Sequence, residues 1–140
     1  MTASCPMCTK WHDEPDMRIA ELRHCYVMLN KDQFFKGYCF VFAKEHVTEL
    51  FHLDFQARSG IIEEVNLVAA ALFRSFSPAK INYELLGNMV PHMHWHIIPR
   101  FTDDPLWPRP VWSEPHEPVE LAANACAERI SLIRAELESP

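Results

Sequence analysis

From Pro91 to Arg100 the chain reads Pro-His-Met-His-Trp-His-Ile-Ile-Pro-Arg, with histidine alternating with a large apolar residue at a period of two. A helix would scatter those histidines around its axis, whereas a strand places every second side chain on one face. His92, His94 and His96 therefore share one face, and Met93, Trp95 and Ile97 share the other, which is expected to pack against helices. Neighbouring histidines on the shared face stand roughly 6.6 Å apart, twice the rise per strand residue. Packing gives no reason for three imidazoles at that spacing, but two chemistries do. In one, the histidines bind a catalytic zinc that activates water. In the other, a neutral imidazole attacks phosphorus and carries the group as a covalent adduct while a second imidazole holds the phosphate. Spacing alone leaves both open.

The rest of the chain supplies a sheet for that strand and helices to cover it. Cys25–Leu29 and Tyr38–Phe42 are short apolar, β-branched and aromatic runs, expected to pair as a hairpin across Asn30–Gly37. Between Leu53 and Phe76 the residues Ile61, Val65, Val68, Leu72 and Phe76 recur at spacings of three and four, the stripe of a long helix. Ser77-Pro78 ends it, because the residue before proline avoids the helical region. Ile81–Leu86 and Met93–Ile98 read as two more strands, with Gly87-Asn88 as a turn. Trp11–Arg18 reads as loop, and Asp103–Pro118 as a proline-stiffened loop carrying Trp107 and Trp112 that caps the core, lips the site or joins a dimer contact. Pro118 is expected in the first turn of a last helix with the stripe Leu121, Ala125, Ile130, Ile133 and Leu137. The order β-β-α-β-β-α gives an α+β fold, an antiparallel sheet carrying helices. One domain spans residues 1–140, with its core at about 5–101 and the proline-rich loop and helix at 102–140.

Charge narrows the partners. Thirteen Lys and Arg against nineteen Asp and Glu leave a net charge of −6, so no nucleic-acid partner is expected, since such modules carry a basic footprint. No apolar run is long enough for a membrane span, and Met1–Lys10 lacks the charged-then-apolar order of a secretory leader. The chain accordingly reads as cytoplasmic. In that compartment an odd count of five cysteines argues against a disulfide framework. Cys5 and Cys8 form a C-x2-C, which there points to a metal or a redox pair, whereas Cys25 and Cys39 lie on apolar strands as buried thiols.

The run Gly87-Asn88-x-Val90-Pro91-His92-x-His94-x-His96-x-x-Pro99-Arg100 resembles the signature of the histidine triad (HIT) family of nucleotide hydrolases and transferases. The likeness extends upstream through Val27–Asn30 and Gly37–His46, similar to the family's first strand and its "G-H-x-L-V-x-x-K-x-H" strand, with Tyr38 where many members carry histidine. Resemblance to the bacterial diadenosine tetraphosphate hydrolase-like members implies the covalent chemistry, with His94 as nucleophile and His96 on the phosphate and leaving oxygen. It implies that Asn88, in place of the family's glutamine, donates to the phosphate, that Asn30 bonds the ribose, and that Asn82 adds a polar contact. The implied substrate is a nucleotide whose α-phosphate bears a second group, such as a dinucleoside polyphosphate, a phosphoramidate or an adenylyl sulfate. Members of this size are homodimers, and no organic cofactor is implied.

Several bacterial members resembling this chain hold a structural zinc with the first triad histidine as a ligand. On that pattern Cys5, Cys8, His46 and His92 form a Cys2His2 set, with His52 the one substitute for His46. Arg100 is expected either to meet phosphate or to end the strand in solvent, and Glu63-Glu64 to lie on the solvated face of the long helix. His12, His24 and His116 show no partner pattern. The rivals to a covalent hydrolase are a non-catalytic nucleotide- or zinc-binding protein and a zinc hydrolase whose catalytic metal sits on the triad.

Overall fold

The stripe and the alternating runs assemble around one five-stranded sheet. In the computed structural model, which describes residues 5–139, the elements are α1 (Pro6–Asp13), β1 (Arg18–Glu21), β2 (Cys25–Leu29), β3 (Cys39–Ala43), α2 (Phe55–Phe76), β4 (Lys80–Glu84), β5 (His94–Arg100) and α3 (Ala123–Glu138). Met1–Ser4, the start of the segment read above for a leader, lie outside the described residues, as does Pro140. The sheet order is β1-β2-β3-β5-β4 and every neighbouring pair is antiparallel. The α+β architecture is as expected. Among the described residues no helix is long and apolar enough to cross a membrane.

One face of the sheet carries the main core. Ile61, Val65, Val68 and Leu72 of α2 and Ile130 and Ile133 of α3 pack against Val27, Val41 and Ile97, with Trp95 partly buried beside them. Helix α2 begins where the Asp54 carboxylate accepts the Ala57 amide at 2.8 Å, and it ends on Ser77 in the left-handed region, φ 49°, before Pro78. Glu64 departs from the solvated reading. It is buried, and its carboxylate accepts the amides of His24 and Cys25 at 2.9–3.1 Å, which fixes α2 to the start of β2. The bare Glu-Glu pair hid this, since only the first residue faces water.

The other face is half covered from each end of the chain. Met7 of α1 packs on Met28 and Phe42, and Trp11 stacks on Tyr26 with ring centroids 4.5 Å apart. A strap running from Phe101 to Leu121 lays Leu106 and Val111 onto Phe35, Tyr38 and Ile98. Phe40 touches both clusters and marks the gap between them. Gly37 makes the turn into β3 at φ 88°, and a Cβ there would stand 2.8 Å from the Phe76 ring.

Three readings are corrected. Trp11–Asp13 close α1 and Arg18 opens β1, so Trp11–Arg18 is not one loop; α1 buries Met7 alone and β1 buries Ile19 alone, too little for a visible stripe. Pro118 is not in the first turn of α3, which begins at Ala123. The strap holds it instead, because the Val119 amide bonds the Asp32 carboxylate at 2.9 Å and its carbonyl accepts the Gln33 amide at 2.8 Å. The strands near the site also shift by a residue or two: β4 stops at Glu84 and β5 runs on to Arg100.

Candidate functional site: the histidine face and a Cys2His2 cluster

The histidines lie on the sheet face opposite α2, beside the gap marked by Phe40, whose ring centroid is 6.2 Å from that of His94 and 5.3 Å from that of His96. All three are buried, and each has one ring nitrogen committed. A carbonyl only accepts, so the 2.6 Å contact from His94 Nδ1 to the His92 carbonyl makes Nδ1 the protonated nitrogen. Neutral His94 then keeps its lone pair on Nε2. His92 is set the opposite way: its Nε2 donates to the Ala43 carbonyl at 2.7 Å, which leaves Nδ1 free as a ligand atom. Burial is the main reason His92 titrates below the ordinary histidine range, and His46 and His94 add to it while the bond to Ala43 opposes it.

His96 Nδ1 lies 2.6 Å from the Tyr38 hydroxyl. Tyr38 is where many members of the resembling family carry histidine. Burial, with the His94 charge second, lowers the His96 pKa to about 4, so the ring is neutral at physiological pH. Glu84 is the cross-strand partner of His96, and its carboxylate accepts Trp112 Nε1 at 2.6 Å. The Trp112 ring meets His96 edge to face at 5.6 Å. A cleft of about 350 Å³ opens here, lined by Leu86, Asn88, Met89 and Val90 together with His94, His96 and Trp112. Asn88 is thus brought beside His94 and His96, and in the tryptophan loop Leu106 and Val111 cap the core while Trp112 lines this cleft.

Other expected residues are elsewhere. Asn30 and Asn82 do not line this cleft. The Asn82 side chain accepts from Arg100 Nη1 at 2.9 Å, and Asn30 uses its backbone to bond Tyr38 and Gln33. Arg100 neither reaches toward substrate nor ends in solvent. It is 1% exposed, paired with Asp104 at 2.7 Å, and its guanidinium lies over the Phe35 and Trp107 rings. The strand continues two residues past the expected end, which carries Arg100 under the strap. His116 also has a partner: it bonds Asp32 at 2.9 Å and stacks on Phe34.

Cys5, Cys8, His46 and His92 come together as foreseen, with all four donor atoms within 4.8 Å of one another. The His92 Nδ1 is 3.5 Å from Cys5 Sγ and 3.6 Å from Cys8 Sγ, and the His46 Nδ1 is 3.2 Å from Cys8 Sγ. Tetrahedral zinc with bonds of about 2.3 Å to sulfur and 2.05 Å to nitrogen sets its sulfur and nitrogen ligands roughly 3.5 Å apart. Both the donor set and the spacing therefore fit a closed four-ligand metal site. His52 is not part of it; its Nδ1 faces Thr48. Neither His94 nor His96 joins the cluster, which takes only the first member of the triad.

A five-stranded antiparallel sheet with paired histidines on its open face and a Cys/His cluster at one end defines a histidine triad domain. The HIT domain family matches residues 12–103, and the chain belongs to that family. Its fold is similar to a histidine triad protein from Bradyrhizobium japonicum, TM-score 0.81 and 30% identity over 90% of this chain and 94% of that one. A histidine triad protein from Marinobacter aquaeolei VT8 gives 0.80 and 28%, over 87% and 88% of the two chains. A zinc-bound histidine triad family protein from Mycobacterium smegmatis shares the fold at TM-score 0.72 and 23% identity, over 99% and 96%. Protein hit of Bacillus subtilis (strain 168) is 29% identical over 94 residues, 64% of this chain, and the match spans 65% of that relative's own length.

Proposed function

We propose that the chain is a nucleotide hydrolase that cleaves the bond between an α-phosphate and a second group through a nucleotidyl-His94 adduct. The observation that carries this reading is the 2.6 Å bond from His94 Nδ1 to the His92 carbonyl, which leaves the Nε2 lone pair as the attacking atom. Nε2 attacks the α-phosphorus, the bond to the second group breaks, and that group leaves with the electron pair and takes up a proton. Water then attacks the same phosphorus, the P–N bond breaks, and nucleoside monophosphate is released with His94 restored. His96 and Asn88 lie on the same cleft and stabilise the charge that builds on the phosphoryl oxygens.

The second group is expected to be uncharged. Among the residues lining the cleft there is no lysine or arginine, and the Glu84 carboxylate stands beside Trp112. Lys10, which lies over the Phe40 ring, and Arg100 at the end of β5 are each paired with a carboxylate, Glu14 and Asp104. A polyphosphate tail gains little there, so phosphoramidates and other neutral leaving groups rank above diadenosine tetraphosphate and adenylyl sulfate.

Cys5, Cys8, His46 and His92 would hold a structural zinc, which supplies a four-ligand tie between α1 and the sheet. The homodimer reading is supported by the exposed apolar face of α2, with Phe55, Ile62 and Phe73, and by β4 standing at the sheet edge. The test is release of nucleoside monophosphate from adenosine phosphoramidate, diadenosine tetraphosphate and adenylyl sulfate by wild type and His94→Ala. Release lost by about 10³-fold or more in a folded, nucleotide-binding variant is the expected result. Binding without release by wild type would favour the binding-protein rival. Release abolished by a chelator, from protein that stays folded, would favour the zinc hydrolase.

A further inference from the structure

Tyr38 sits at the turn into β3 with its ring buried among Phe35, Ile98, Leu106 and Val111, and it reaches across the sheet to a strand 58 residues away. Its hydroxyl has one proton, and among the described residues His96 Nδ1 is the sole hydrogen-bond partner. If the imidazole donated from Nδ1, the phenolic proton would be left buried without an acceptor, the costlier arrangement. The phenol therefore donates, Nδ1 accepts, and the ring proton of neutral His96 is on Nε2.

We propose that Tyr38 is a positioning residue whose phenol fixes His96 as the Nε2–H tautomer, so that the last triad histidine meets the substrate phosphate as a neutral donor. This rests on the reading of His96 as a phosphate contact. The groups facing His96 are Tyr38 from the turn before β3, Phe40 from β3, Glu84 from β4, His94 on its own strand and the uncharged indole of Trp112 from the strap. Of these only the Glu84 carboxylate would favour a charged ring, and it is engaged by Trp112 Nε1. Burial and His94 act the other way, and a hydrogen bond given to the neutral form adds to them. An imidazole in place of Tyr38 could give or take a proton and carry charge. A buried phenol, whose pKa burial raises, stays neutral, and here it gives its one proton to Nδ1.

The test uses the full, zinc-loaded chain labelled with ¹⁵N histidine, with His96 assigned by the signals lost in His96→Asn. Two-bond ¹⁵N–¹H spectra are expected to show His96 with a bare Nδ1 and a protonated Nε2, unchanged from about pH 8 to about pH 5. Tyr38→Phe keeps the ring and removes only the hydroxyl. His96 should then titrate about one pH unit higher, the tenfold effect of one hydrogen bond. In parallel kcat should fall about fivefold with KM nearly unchanged, which a general loss of packing would not produce. A proton on Nδ1 in wild type, or a His96 titration that Tyr38→Phe leaves unmoved, overturns the proposal. Should that variant fail to fold, the wild-type tautomer decides alone. Absence of turnover on every substrate would sink the hydrolase reading while the spectra still decide on Tyr38.

Discussion

Removing the two sulfur donors of the Cys2His2 cluster by Cys5→Ala and Cys8→Ala should release α1 from the sheet. The contacts that would remain can be summed from the structure. Burial of Met7 contributes about 2 kcal/mol, and the Trp11–Tyr26 stack, with centroids 4.5 Å apart, about 1 kcal/mol. The hydrogen bond from Arg18 Nε to the Trp11 carbonyl at 2.6 Å and the helix's own bonds add about 3 kcal/mol. Against these, fixing the backbone of the eight residues of α1 costs about 8 kcal/mol at the low end. The shortfall of about 2 kcal/mol or more is what a metal held by the four donors would supply. The assay is tryptophan emission, which should move to longer wavelength as Trp11 enters water, together with amide hydrogen exchange across residues 7–13. Trp11→Phe in the same background should remove the emission shift. The central strands should keep their protection. A metal-free double variant whose α1 amides stay protected would refute the reasoning, because the apolar contacts would then suffice.

Glu64→Ala leaves the buried amide of Cys25 and the half-buried amide of His24 without an acceptor and should lower stability by about 3 kcal/mol, read from urea unfolding. At Asp32 partial burial opposes ionisation, but the amides of Val119 and Phe34, and His116, outweigh it and hold the carboxyl below its usual range. A lowered folded-state pKa gives stability that is present above the ordinary carboxylate range and lost as pH falls through the folded value. Asp32→Asn should therefore shrink the drop in urea midpoint between about pH 6 and about pH 3, and an equal drop in both proteins would count against the clasp. Trp112→Ala removes the lip of the cleft and should cut kcat/KM about tenfold for substrates with an aromatic leaving group while changing that for small leaving groups less.

What could be read from the residues follows from how local each signal is. The period-two histidines, the α2 stripe from Ile61 to Leu72 and the C-x2-C are contained in short windows, and each reappears in three dimensions. The metal set needed Cys8 and His92, 84 positions apart, and was reached through resemblance rather than spacing. Contacts made by register were hidden. Tyr38 meets His96 because β3 lies beside β5, with Cys39 opposite Ile97, and no sequence window holds both strands. Arg100 was misjudged for the same reason: its burial depends on Asp104, Phe35 and Trp107 folding over it. Elements with one buried residue, α1 and β1, carry no periodic signal at all.

The two covers of the histidine face come from opposite ends of the chain, and this sets an order of events during synthesis. As a ribosome delivers the protein, α1 emerges early with two of its four anchoring donors and waits for His46 and then His92. The strap follows β5, and its clasp joins Asp32 to His116 and Val119. Until both are in place Phe40, Phe42 and the triad strand are open to water on that side. The main core on the other face also waits, since Ile130 and Ile133 of α3 belong to it. A nascent chain thus displays a half-dressed aromatic sheet until the strap and α3 have emerged, and that interval is when a chaperone has most influence on how much folded protein is made.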